Sequence, residues 1–289
     1  MTLSRMKIKI LFSCLLLFLA GCHTGEQSPE PGYAFFVAGH IYGHPTSFQY
    51  GVHPPLDSAF SFLNKYPGMA FGVFTGDVVP HPTPDYWDSL QADLQKLTVP
   101  YYIVPGNHDR GPEFEKRYHN YYQSFVRNND LFILLTPNNW NIEGPQLDFL
   151  KSALAASSDS VRNIFIFLHE LIWWSPDNRF NTVEINYRPY YPGTSNFVEE
   201  IEPLLRETGK KVVVYAGDVG CHSGVSPCMY DTSGNLTLIA SGMGSGNKDN
   251  LVITRVYTDG TFNFDLIHLN GPDKRGMGRL EDYSLRTER

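Results

Sequence analysis

Apolar residues fall into short unbroken runs separated by segments in which they recur every three or four positions. The runs are YAFFVA (residues 33 to 38), MAFGVFT (69 to 75), YYIV (101 to 104), LFILLT (131 to 136), NIFIFL (163 to 168) and KVVVYA (211 to 216), followed by LTLIAS, LVITRVY and FNFDLIHL. Runs of this kind predict strands buried on both faces. The segments LDSAFSFLNKY, PDYWDSLQADLQKL, GPQLDFLKSALAAS and FVEEIEPLLRE predict amphipathic helices that cover a sheet. The last three runs follow one another without a helix between them, so the pattern is α/β with late strands returning antiparallel.

The first residues depart from this pattern. Arg5, Lys7 and Lys9 precede an apolar run too short to span a bilayer, which closes on Leu19-Ala20-Gly21-Cys22. That layout resembles a bacterial lipoprotein signal, with Cys22 lipidated and residues 1–21 removed. His23, where a retained inner-membrane lipoprotein would carry Asp, points to the outer membrane, facing the periplasm or the surface. Residues 22–32 are polar and proline-bearing and read as a flexible tether, 33–270 as one folded domain, and 271–289 as a polar tail, loose at its end. Loss of three positive charges with the signal takes the net charge from −7 to −10. With no lysine or arginine run, such a chain is not expected to bind nucleic-acid duplexes. In an oxidising envelope Cys221 and Cys228, with Gly and Pro between them, predict a loop-closing disulfide; a thiolate metal ligand from Cys221 is the alternative.

Ligands in α/β folds bind beyond the strand ends, where loops hold polar groups without burying them in a core. Five ends here are polar: AGHIYGH (38 to 44), GDVV (76 to 79), GNHD (106 to 109), His169 in FLHE, and GDVG (217 to 220). Each alone reads as a turn or a core histidine. Together they bring Asp, Asn, His and Asp to successive strand ends, a donor set suited to a hard or borderline divalent cation.

These motifs resemble those of the calcineurin-like metallophosphoesterases, and GPQLDFLKSAL is similar to a helix of that family. The resemblance implies a four-layer αββα sandwich, two mixed sheets flanked by helices. It also implies a divalent ion, Mn, Zn, Fe or Mg, in one or two copies. By position, one metal would be held by Asp77, Asn107, His169 and Asp218. The other site would fall to His40 and Tyr42, where the family has Asp and His, and to Gly220 in place of a further His. His replaces Asp at 40 and Asp replaces His at 218, so the ligand ring keeps its two carboxylates and looks rearranged rather than lost. His44, His81 and His222 lie near enough in sequence to fill gaps.

The resemblance further implies hydrolysis of phosphate mono- or diesters, with hydroxide made available by the metal, His108 protonating the leaving oxygen and Asp109 orienting it. Arg110 is placed to meet phosphate, or is a solvated loop residue. Trp173, Trp174, Tyr187, Tyr190 and Tyr191 offer rings to a cleft or pack over the sheet. The expected partners are a phosphorylated small molecule, glycan or lipid head group, and the membrane through the lipid anchor. The alternative is a noncatalytic envelope lipoprotein that binds a glycan or partner through the same cleft.

Overall fold

The computed structural model describes residues 30–47, 49–156, 160–270 and 277–285. Cys22, the signal and most of the tether lie outside the described residues. The first strand, β1 (Pro31–Ala38), is followed by α1 (Pro54–Lys65), β2 (Met69–Thr75), α2 (Pro84–Leu94), β3 (Tyr101–Val104), α3 (Pro112–Tyr118), β4 (Gln123–Arg127) and β5 (Asp130–Leu134). Then come α4 (Gly144–Ala155), β6 (Asn163–Phe167), α5 (Glu202–Glu207), β7 (Lys211–Ala216), β8 (Cys228–Ser233), β9 (Leu236–Ser241), β10 (Asn250–Tyr257) and β11 (Phe262–His268). All five α-helices carry proline in the first turn, where its missing N–H costs nothing.

Two mixed sheets result, ordered β11-β10-β1-β2-β3 and β4-β5-β6-β7-β9-β8. Strand alternation sorts the apolar runs into layers. Phe35, Val37, Phe71 and Val73 face Phe132, Phe165, Phe167 and Tyr215 between the sheets. Phe36 and Phe74 point outward to Leu56, Phe60, Trp87 and Leu90 of α1 and α2. On the second sheet Ile164, Ile166, Val212 and Val214 point outward to Leu150 and Leu205 of α4 and α5. Each central strand therefore buries both faces, and the four-layer αββα arrangement is borne out.

Several details differ from the sequence pattern. The edge strands β4 and β8 are too polar to stand out, β8 burying Cys228 and Met229 on opposite faces but ending in Asp-Thr-Ser, and α3 buries a single residue, Phe114. Because β8 precedes it, β9 runs parallel to β7, while β10 returns antiparallel to β1 as expected. Strand pairing reaches back past Tyr33 to Pro31, which pairs with Tyr257. The tail is not wholly loose: Met277 and Leu280 are buried in the core between the sheets, and Ser284 bridges to Tyr230. Cys221 and Cys228 are both buried free thiols rather than a disulfide. They point into different surroundings, Cys221 lining a cavity and Cys228 packing in the core between the sheets.

Candidate active site

Strands β1, β2 and β3 are parallel in one sheet, and β6 and β7 in the other, so within each sheet their carboxyl ends share an edge. Backbone bonds tie the first of the five loops there to the second and the fourth to the fifth. His40 N–H donates to the Gly76 carbonyl (3.0 Å), Tyr42 N–H to Asp77 (3.2 Å) and Gly217 N–H to His169 (2.9 Å). The sheets approach so closely that a Cβ on Gly217 would run into the Thr75 carbonyl, which explains glycine at that motif position.

At the centre, one donor atom each from Asp77, His169 and Asp218 lie within 4.8 Å of one another. His169 Nδ1 donates to the Thr75 carbonyl (2.9 Å), which directs Nε2 at Asp77 Oδ1 (3.3 Å) and Asp218 Oδ1 (3.9 Å). This Nε2 is fully buried with no hydrogen-bond partner. An imidazole nitrogen oriented by its second nitrogen and aimed between two buried carboxylates is a fitting nest for a divalent cation. Asp77 sits at φ +51° and His40 at φ +54°, left-handed conformations that cost side-chain-bearing residues energy and mark the loops as held for a purpose.

The electrostatics agree. Burial pushes the Asp77 carboxyl up, but His169, then His40 and His108, outweigh it and hold the pKa well below the usual range. Burial would lower His169, yet Asp77 and Asp218 hold it well above its ordinary value. Burial raises Asp218 to about 6. A cation bound among these groups would compete with protonation of His169, so binding would release a proton.

The remaining motif residues divide. Asn107 is exposed in the cavity above the cluster, as a fourth ligand requires. His40 Nε2 stands 3.5 Å from Asp77 Oδ2, on the side away from His169, and burial lowers its pKa to about 4. Tyr42 is buried, with its ring 4.4 Å from His40 and 5.4 Å from His108. Burial, reinforced by Asp77, holds its phenol well above the ordinary pKa, and its ring walls both histidines. At Gly220, φ is +78° and a Cβ would lie 2.8 Å from the Gly242 carbonyl carbon and oxygen, so a histidine has no room.

Asp109 does not orient His108. Its carboxylate accepts the Val78, Val79 and Gly106 N–H groups at 2.8, 3.0 and 2.7 Å, and so pins the two metal-bearing loops to each other. His108 is oriented by the Pro80 carbonyl, to which Nδ1 donates at 2.8 Å, leaving Nε2 free to exchange a proton. Asp109→Ala should therefore destabilise the fold by about 3 kcal/mol, the cost of orphaning buried donors. Urea denaturation measures this, and an unchanged midpoint would refute the pinning role.

His40, Tyr42, Asp77, Asn107, His108 and Asp218 line a cavity of about 370 Å³. His44 and His222 line it too, but His81 lies outside, its ring 5.7 Å from Tyr86. Trp173 and Trp174 are buried in the outer core, and Tyr191 packs against Trp140 and Trp174; only Tyr187 and Tyr190 reach the cavity. Arg110 is committed rather than solvated, donating to Glu170 (2.7 Å) and the Pro137 carbonyl (2.8 Å). The sequence pattern had missed Glu170, although it directly follows His169, and the role of the Pro80 carbonyl, which has no side-chain signal.

Comparison with known proteins bears on this site. A probable glycerophosphodiester phosphodiesterase of Arcobacter nitrofigilis is 27% identical over 85 residues, 29% of this chain and 31% of that relative. Among solved structures, a predicted phosphoesterase of Streptococcus pneumoniae has a TM-score of 0.36 and 12% identity, covering 89% of this chain and 94% of its own. The phosphopantetheinyl hydrolase of Mycobacterium tuberculosis has a TM-score of 0.41 and 8% identity, covering 75% and 90%. Likenesses at those TM-scores carry no argument. The calcineurin-like phosphoesterase family model matches residues 40–222, a span that holds every ligand candidate from His40 to Asp218, and the chain belongs to that family.

Proposed function

We propose that this protein is a metal-dependent hydrolase of phosphate esters that works in the cell envelope, anchored through Cys22. The observation that carries the reading is the buried Asp77–His169–Asp218 cluster opening into the same cavity as His108. Family membership supports phosphoester hydrolysis, and the donor set supports one divalent ion, held by these three residues and Asn107. When bound, the ion lowers the pKa of water and neutralises charge on the phosphoryl oxygens.

The chain supplies the rest. His108, fixed by Pro80 on Nδ1, delivers a proton from Nε2 to the departing ester oxygen. Tyr42 backs its ring, and Asp109 holds the loop that presents it. Asp77 and Asp218 favour a cation where phosphate must bind, so the protein alone repels the substrate that the ion recruits.

His108→Gln tests the assignment. The variant should lose about a hundredfold or more in kcat/KM on alkyl phosphate esters, and much less on para-nitrophenyl esters, whose leaving group needs no proton. Equal losses on both would remove His108 from the role of acid. The anchor rests on the sequence alone; Cys22→Ser should release the protein from the membrane fraction. A noncatalytic glycan- or partner-binding role is favoured by Gly220 and Tyr42, and it prevails if the metal-loaded protein cleaves no phosphate ester.

A further inference from the structure

We propose that the substrate is a phosphodiester lying across the metal centre, with one ester substituent in each of two cavities; this rests on the phosphoesterase reading above. A second cavity of about 350 Å³ opens beside the first, and both share Asn107, Tyr190 and Asp218. Two of the candidate metal ligands, Asn107 and Asp218, thus stand between the two lobes. A phosphomonoester has one substituent and fills one lobe, whereas a diester has one for each.

The charge of the walls argues the same way. Among the described residues no lysine or arginine lines the first lobe, which holds the carboxylates of Asp77 and Asp218 and the imidazoles of His40, His44, His108 and His222. The second lobe holds Arg110, but Glu170 already meets its charge at 2.7 Å. Among the described residues neither lobe offers a lysine or arginine free of a carboxylate partner for the second negative charge of a monoester or for a polyphosphate. A diester carries a single charge, which the metal meets.

The lobes also differ in chemistry. Tyr187, Tyr190 and Pro45 make the first aromatic and apolar, suited to a flat or apolar substituent. The second exposes the side chains of Asn138 and Asn139 beside the Arg110–Glu170 pair. Exposed amides supply both donors and acceptors, which suits a hydroxylated substituent, a sugar or polyol.

The test uses the full chain loaded with Mn and three substrates with one leaving group: para-nitrophenyl phosphate, its methyl diester, and its diester with a sugar alcohol. The sugar-alcohol diester should exceed the monoester in kcat/KM by about tenfold or more, with the methyl diester between. Asn138→Trp, which fills the second lobe from an exposed position, should erase the advantage of the sugar-alcohol diester over the methyl diester. Asn139→Gly tolerates the left-handed backbone there (φ +49°) and should reduce that advantage by removing one amide. A faster monoester, or a sugar-alcohol to methyl ratio unchanged in both folded variants, overturns the proposal and leaves the hydrolase reading standing. Cleavage of none of the three by the wild-type protein, with Mn, Zn, Fe or Mg, overturns both.

Discussion

Asp77→Asn is expected to abolish metal binding and to lower turnover roughly a thousandfold, the equivalent of the several kcal/mol a metal contributes to the transition state. Asn is the informative replacement because it tolerates the left-handed backbone that Asp77 adopts and keeps nearly the same volume. The change therefore removes a charge and little else. Asp77 is the hub of the site. Its Oδ1 faces His169 Nε2 and accepts the His108 N–H at 3.3 Å, while Oδ2 faces His40. Gly106 leaves room for it, since a Cβ there would run into Oδ1. The direct readout is thermal: added Mn or Zn should raise the Tm of the wild-type protein by linkage and leave that of the variant unmoved. A variant that still shifts with metal would show that Asp77 is not a ligand, whatever its activity.

Phe35→Ala should cost about 4 kcal/mol of stability, at the upper end for a single core truncation. Phe35 is fully buried between the two sheets, with ring centroids 5.3 Å from Phe71, 5.5 Å from Phe132, 5.0 Å from Phe165, 5.9 Å from Phe167 and 6.0 Å from Tyr215. Its removal opens a cavity walled by strands of both sheets, and neither can move inward without breaking its own helix packing. Because the same contact sets the spacing between the sheet edges that meet at the metal centre, loss of stability should be accompanied by weaker metal binding. Urea denaturation with and without metal separates the two effects. A loss below about 1 kcal/mol would mean that the aromatic layer repacks and does not fix the gap.

How much was legible in the sequence varied with the physical origin of each feature. Central strands were plain because burial on both faces leaves an unbroken apolar run; β2 and β3 begin and end where the runs MAFGVFT and YYIV do. Edge strands such as β8, CMYDTS, were not, since its second half is polar and ends exposed at Thr232 and Ser233. Asp77, His169 and Asp218 could be named from their places at strand ends, because parallel strands must deliver those ends to a common edge.

What the sequence could not supply were relations between groups far apart along the chain. GNHD does not reveal that Asp109 turns away from its neighbour to hold the N–H groups of Val78 and Val79, about 30 residues earlier. Nor does it reveal that a proline carbonyl orients His108. The spacing of Cys221 and Cys228 suggested a bond, but chain proximity does not set side-chain direction, and the fold sends one thiol to the cavity and the other to the core. The aromatic stretch after His169 was equally ambiguous until packing divided it, Trp173 and Trp174 inward, Tyr187 and Tyr190 to the cleft. Residue types and strand ends determined which chemistry the chain has; which atoms face one another was decided only when two sheets closed on a shared aromatic layer.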